Sequence, residues 1–184
     1  LTTSEQFYRV NLSLFSGLDM TEISGINLVL KNGEVPASAV LNVRIGDLPF
    51  VPGVAPTAGL TSADISHLAF LQAVSFASAA PDPVATATVN QTSATQFSVT
   101  YNVTNADSYA GGIATFDDYG TAGVEFSDLS ALANITLGLS LSSGTGDVYL
   151  ELEDSSGAKD SVLLTGLTTS EQFYRVNLSL FSGL

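Results

Sequence analysis

The chain has 184 residues, carries 18 Asp and Glu against five Lys and Arg for a net charge of −13, and contains neither Cys nor Trp. Without Cys there is no disulfide framework and no thiolate metal site. So acidic a chain argues against nucleic acid and anionic membranes, whose phosphates are bound through Lys and Arg, and no apolar run approaches the roughly 20 residues of a membrane-spanning helix.

The first element along the chain is a strand that occurs twice. Residues 1–18 read LTTSEQFYRVNLSLFSGL, and residues 167–184 repeat them without a substitution, at a period of 166 residues. An identity of that length points to homogenised tandem repeats, so the chain reads as a window on a longer array that starts and stops inside a strand. Within the copy, Tyr8, Val10, Leu12 and Leu14 alternate with Arg9, Asn11 and Ser13, the period of two of a half-buried strand. Residues 1–50 read as the C-terminal part of one β-sandwich repeat, with a turn signal at Lys31-Asn32-Gly33.

Proline has no N–H to give a sheet ladder. The prolines between Val51 and Pro56 and in Pro81-Asp82-Pro83 therefore make residues 51–83 an inter-repeat junction. Its stretch Ser62–Ser75 has the chain's one helix-like pattern but few strong helix formers. The junction also holds His67, the only histidine. Asp64 is near it, yet no serine in a nucleophile-elbow context accompanies the pair, so His67 reads as a solvated or packed side chain and the protein as no enzyme.

Residues 84–184 read as the N-terminal part of the next repeat. Phe97, Val99, Tyr101 and Val103 alternate with Ser98, Thr100, Asn102 and Thr104. Ile135, Leu137, Leu139 and Leu141 alternate with Asn134, Thr136, Gly138 and Ser140, and Val148, Leu150 and Leu152 with Tyr149, Glu151 and Glu153. Turn signals fall at Tyr119-Gly120-Thr121, Ser143-Gly144-Thr145-Gly146 and Asp154-Ser155-Ser156-Gly157. About nine strands per period joined by such turns predict an all-β, antiparallel β-sandwich.

From Thr115 onward the order of phrases is distinctive. Phe116-Asp117-Asp118-Tyr119-Gly120 is followed by Gly123-Val124-Glu125-Phe126-Ser127-Asp128-Leu129-Ser130, then Tyr149-Leu150-Glu151-Leu152-Glu153-Asp154 and Glu171-Gln172-Phe173-Tyr174-Arg175-Val176. By the repeat, Asp19-Met20-Thr21-Glu22-Ile23 closes it. This order resembles the galactose-binding-like jelly rolls of carbohydrate-binding modules, in the form found in very large bacterial surface proteins. The resemblance implies a jelly-roll fold, a place outside the cell, and glycan or calcium binding. Such modules bind sugar on Trp or Tyr platforms; with no Trp in the chain, the candidates are Tyr149, flanked by Glu151 and Glu153, then Tyr109 and Tyr119.

Two further chemistries follow from the residues. Asp117, Asp118, Glu125 and Asp128 gather oxygen ligands of the kind Ca2+ takes in sets of six to eight, or else form a solvated acidic face that keeps sheets from pairing edge to edge. Asn11, Asn90, Asn102 and Asn134 each open an N-x-S/T triplet, the acceptor for glycosylation, and Asn177 repeats Asn11. Taken together, the expected role is structural. The expected partners are copies of the chain itself, in a secreted filament or cell-surface fibre, with a carbohydrate-binding adhesive module as the alternative.

Overall fold

Strands form where apolar side chains recur at every second position, because successive strand residues face opposite sides and only one face needs burying. The computed structural model describes residues 17–46, 70–178 and 181, apart from 82, 121, 131 and 133. Among these residues the chain is all-β, with ten strands. They are β1 (Ile23–Lys31), β2 (Ser38–Ile45), β3 (Gln72–Ala77), β4 (Thr86–Ser93), β5 (Gln96–Asn102), β6 (Tyr109–Thr115), β7 (Asn134–Leu141), β8 (Gly146–Asp154), β9 (Lys159–Leu167) and β10 (Gln172–Asn177). They make two five-stranded antiparallel sheets, ordered β3-β6-β1-β8-β9 and β10-β7-β2-β5-β4, packed as a β-sandwich.

One core lies between the sheets. Ile26, Leu28 and Leu30 of β1 and Leu150 and Leu152 of β8 share it with Leu41, Val43 and Ile45 of β2, Val99 of β5, and Leu137 and Leu139 of β7. The sandwich is drawn shut along both sides. On one, Ala73 N–H donates to Gln91 Oε1 at 2.9 Å, and Phe70 packs edge-on against Phe97 with centroids 5.5 Å apart. On the other, Tyr174 Oη donates to Thr165 O at 3.0 Å, and Leu141 N–H to Thr168 O at 2.9 Å.

The alternation in β5 and β8 is as the sequence implies: Phe97, Val99 and Tyr101 are buried, as are Val148, Leu150 and Leu152. In β7 it is not, for Thr136 and Gly138 of the expected wet face are also buried. Gly138 is covered from neighbouring segments: Arg44 of β2 meets Glu171 across it, with Nη2 to Oε1 at 2.6 Å, and the guanidinium lies over the Phe173 ring at 5.5 Å. Asn27 Oδ1, Glu34 Oε2 and Tyr101 Oη are buried polar atoms without a hydrogen-bond partner among the described residues. Tyr101 Oη sits inside the sandwich, and burial pushes its pKa up to about 12.

Strands β1 and β2 come from the stretch 1–50 and β4–β10 from the stretch 84–184, which were expected to serve two different repeats, and these strands share the same two sheets. Strand β1 lies between β6 and β8, and β2 between β5 and β7. The junction contributes a strand of its own, since β3 pairs with β6, and the end of the stretch with the helix-like pattern, Gln72–Ser75, belongs to it. His67, Asn11 and Tyr8 lie outside the described residues.

Strand β6 carries two adjacent glycines that let both faces close. A Cβ on Gly112 would fall 2.6 Å from Val99 Cγ2 and 2.9 Å from Phe97 Cε2, in the space between the sheets. A Cβ on Gly111 would strike the Leu28 carbonyl oxygen, which is backbone and cannot yield, and fall 2.5 Å from Phe76 Cζ on the outer face. Gly111→Ala is expected to cost about 3 kcal/mol. Gly123→Ala, where nothing stands within 4 Å, is expected to stay within about 0.5 kcal/mol of the native chain. Urea midpoints of the two variants check the contrast.

Candidate functional site

At one end of the sandwich, β1 enters, β6 runs out and β8 turns into β9. These three ends surround a cleft of about 340 Å³ whose walls include Ser24, Asp117, Tyr119, Val124, Glu153 and Asp154. The loop after β6 is built by short polar side chains that bond their own backbone. Asp117 N–H donates to Thr115 Oγ1 at 2.9 Å, and Thr115 Oγ1 donates to Ser24 O at 3.2 Å, which ties the loop to β1. Asp117 Oδ1 then accepts from Tyr119 N–H at 2.8 Å, and Asp118 Oδ1 from Gly120 N–H at 2.7 Å, the two-residue reach of an Asx turn. The outcome is a left-handed Tyr119, φ 52°, with its ring 58% exposed at the mouth of the cleft.

Three of the four predicted acidic residues meet here. Oxygens of Asp117, Asp118 and Glu125 all lie within 4.8 Å of one another, with Asp117 buried, Glu125 half-buried and Asp118 exposed. Glu125 joins them because its Oε2 accepts from Asp118 N–H at 3.1 Å. Asp128 is placed elsewhere: its Oδ1 accepts from Ser130 N–H at 2.9 Å and Ser130 Oγ at 2.6 Å, organising the next turn. Hard oxygens this close can hold a divalent cation, although the loop's own N–H groups already engage one oxygen on each of the three residues.

The opposite wall is organised by Asp154. Its Oδ1 accepts from Ser156 N–H at 2.9 Å, Ser156 Oγ at 2.6 Å and Ala158 N–H at 3.1 Å, and its Oδ2 from Asp19 N–H at 3.1 Å. One carboxylate thereby closes the β8–β9 turn and pins the chain entering β1. Ser155 adds to the hold, donating its N–H to Glu22 O at 2.8 Å and its hydroxyl to the Glu22 carboxylate. Gly157, φ 83°, takes the left-handed position that ends this hairpin turn. Burial pushes the Asp154 pKa up, but the Ser156 hydroxyl and the N–H groups of Asp19, Ala158 and Ser156 outweigh it and hold the carboxyl below its ordinary value.

The tyrosines are dispersed. Tyr119 borders the cleft. Tyr149 is half-buried on the outer face of its sheet, donating its hydroxyl to Glu34 Oε1 at 3.0 Å with Lys31 Nζ 3.9 Å from its ring centroid. Tyr109, 43% exposed, tilts against Phe76 at 6.4 Å. Of the triplet asparagines, Asn90 in β4 and Asn102 in β5 are exposed, Asn134 in β7 is half-buried, and Asn11 lies outside the described residues. Sequence reasoning placed Asp154 at the head of a turn and did not count it among the site residues. The available signal was its place two residues before Ser156 and three before Gly157, the spacing of an Asx turn closed by a left-handed glycine.

Since the folded-state pKa of Asp154 is depressed, the stability it contributes is present above the ordinary carboxylate range and is lost as pH falls through its folded value. Asp154→Ala is expected to cost about 2–3 kcal/mol at neutral pH. The gap between variant and native chain should shrink as the medium is acidified below pH ~4. Urea melts across that range test both.

Among the described residues no helix is long and apolar enough to cross a membrane. No protein-family model, curated protein or solved structure matches the chain.

Proposed function

We propose that the chain is a structural repeat unit of an extracellular filament or cell-surface fibre, assembled from jelly-roll sandwiches in contact with copies of themselves, with no catalytic role. The observation that carries this reading is the perfect repeat. Its second copy supplies β10, a structural strand of the sandwich. A segment kept identical every 166 residues gives each unit the same surface, and identical contacts that do not close on themselves make an open filament. The excess of carboxylates favours the same role, because like charge keeps β-rich units from sticking side by side.

The jelly-roll part of the proposal is supported by the way the strands nest. β1 pairs with β8, β2 with β7, β3 with β6 and β4 with β5, as in one long antiparallel ribbon rolled into two sheets. Negative-stain electron microscopy of the chain is expected to show filaments with an axial repeat of about 40 Å, the diameter of one such domain. Dispersed particles, together with glycan-array binding lost in Tyr119→Ala, would put the adhesive module first. That second reading is favoured by the exposed Tyr119 ring beside the carboxylates of the cleft.

Calcium bound by Asp117, Asp118 and Glu125 would brace this end of the sandwich. A few millimolar Ca2+ is then expected to raise the melting temperature by about 5 °C relative to chelator. Glu125→Gln should abolish the rise, and equal melts with and without Ca2+ would remove the cation.

A further inference from the structure

We infer that the floor of the cleft is a binding site for a primary ammonium group on an apolar stem, with Asn27 Oδ1 and the Glu153 carboxylate as its acceptors. The inference does not depend on assembly into a filament. Its basis is an orphaned buried acceptor beside a hollow that one glycine leaves open.

Asn27 lies on β1 and is only 1% exposed. Its amide nitrogen donates to Glu151 Oε1 at 2.8 Å and to Glu153 Oε2 at 3.2 Å. Ionised carboxylates only accept, so these bonds fix which way the amide faces. Oδ1 is the end left over, and it is buried without a hydrogen-bond partner. An unmet acceptor of this kind destabilises the fold until a donor reaches it. What stands beside it is the inner end of the cleft. A Cβ on Gly25 would fall 3.3 Å from Oδ1 and 3.1 Å from Ile113 Cγ2, and Gly25, Ile113 and Glu153 all line the cleft. Oδ1 is screened from bulk water, so a donor arrives by turning the half-buried Ile113 side chain to another rotamer.

The lining decides what kind of donor fits. Its hydroxyls are already committed: Ser24 Oγ donates to Glu153 O and Asp154 O, Thr115 Oγ1 to Ser24 O, Ser156 Oγ to Asp154 Oδ1, and Ser155 Oγ to the Glu22 carboxylate. What remains is acceptors and negative charge, for Asp117, Glu153 and Asp154 are all in the walls. Lys159 answers Glu151 and Glu153 together and so offsets only one of them. An anion has the wrong sign, and a neutral hydroxyl would leave the charge unanswered. A calcium ion takes six to eight oxygens, whereas the floor presents one amide oxygen and one carboxylate. That carboxylate meets Asn27 and Lys159 through Oε2, which leaves Oε1 among the described residues. A primary ammonium brings three N–H donors and one positive charge to such a place. Ile113, Val124 and the Tyr119 ring give its stem apolar walls. At about 340 Å³ the cleft is at the small end of ligand pockets, the size for one lysine side chain or a short alkylamine.

The test is a titration of the native chain with n-butylammonium, read on the Asn27 side-chain amide by nitrogen-15 NMR. Chelator is present throughout, so that no metal ion enters at Asp117, Asp118 and Glu125. A saturable shift is expected with n-butylammonium and none with n-butanol, which has the same stem and no charge. Gly25→Ala puts a methyl group into the hollow, and its neighbours need give only a few tenths of an ångström to admit it. That variant is expected to keep the native circular dichroism spectrum and to bind at least about tenfold more weakly. Glu153→Gln, which removes the charged acceptor, should weaken binding in the same direction. No saturable shift, an equal response to n-butanol, or undiminished binding by both variants would overturn the inference. A glycine-serine peptide carrying one lysine identifies the source of the ammonium. Tighter binding than n-butylammonium assigns the site to a polypeptide partner, and equal binding assigns it to a free amine.

Discussion

The pairing of β1 with β8 and of β2 with β7 is the constraint on which the sandwich depends. These ladders join strands from opposite ends of the described chain, and both lie inside their sheets with a partner on each side. Local hairpins such as β4–β5 and β8–β9 can form on their own, but they acquire a core only when the long-range ladders bring the two sheets together. Folding of such a chain is governed by non-local contacts and is correspondingly slow. The ends of the ribbon also determine where side chains converge. The cleft exists because β1 begins where β8 ends, with Ile23 opposite Asp154 in the ladder.

The outer face of the β1–β8–β9 region shows how an acidic sheet is kept intact. Glu151 and Glu153 are two positions apart on one strand and repel each other. Lys159 answers both, with Nζ 2.9 Å from Glu153 and 3.4 Å from Glu151. Asn27, buried between the strands, donates its amide to the same two carboxylates at 2.8 and 3.2 Å. Burial alone would lower the Lys159 pKa, but the two glutamates outweigh it and raise the value. Exposed ion pairs contribute little individually. This group matters because it neutralises a like-charge pair across three strands that the core needs aligned.

How much of this was legible in the sequence differs from strand to strand. Alternation in β5 and β8 found the buried side chains, and the glycines at 33, 144 and 157 sit at positive φ in the turns their neighbours announce. Three of four predicted acidic ligands converge, because Asx turns are local and their spacing is visible in the sequence. What was hidden came from long range. Nothing near Gly138 says that Arg44 and Glu171 will meet over it. Tyr149 looks like an exposed platform until Lys31 and Glu34, far off in the chain, take its ring and its hydroxyl.

Strand β10, the described copy of the duplicated segment, is held differently from the interior strands. An interior strand such as β1 or β2 is held by ladders on both sides, and removing it breaks the sheet in two. Strand β10 is held on one side only, so it can leave and return while the remaining strands keep their pairings. Its hold on the sandwich comes from the apolar residues it buries and from the Tyr174 and Glu171 contacts, all contained in a segment short enough to be copied whole.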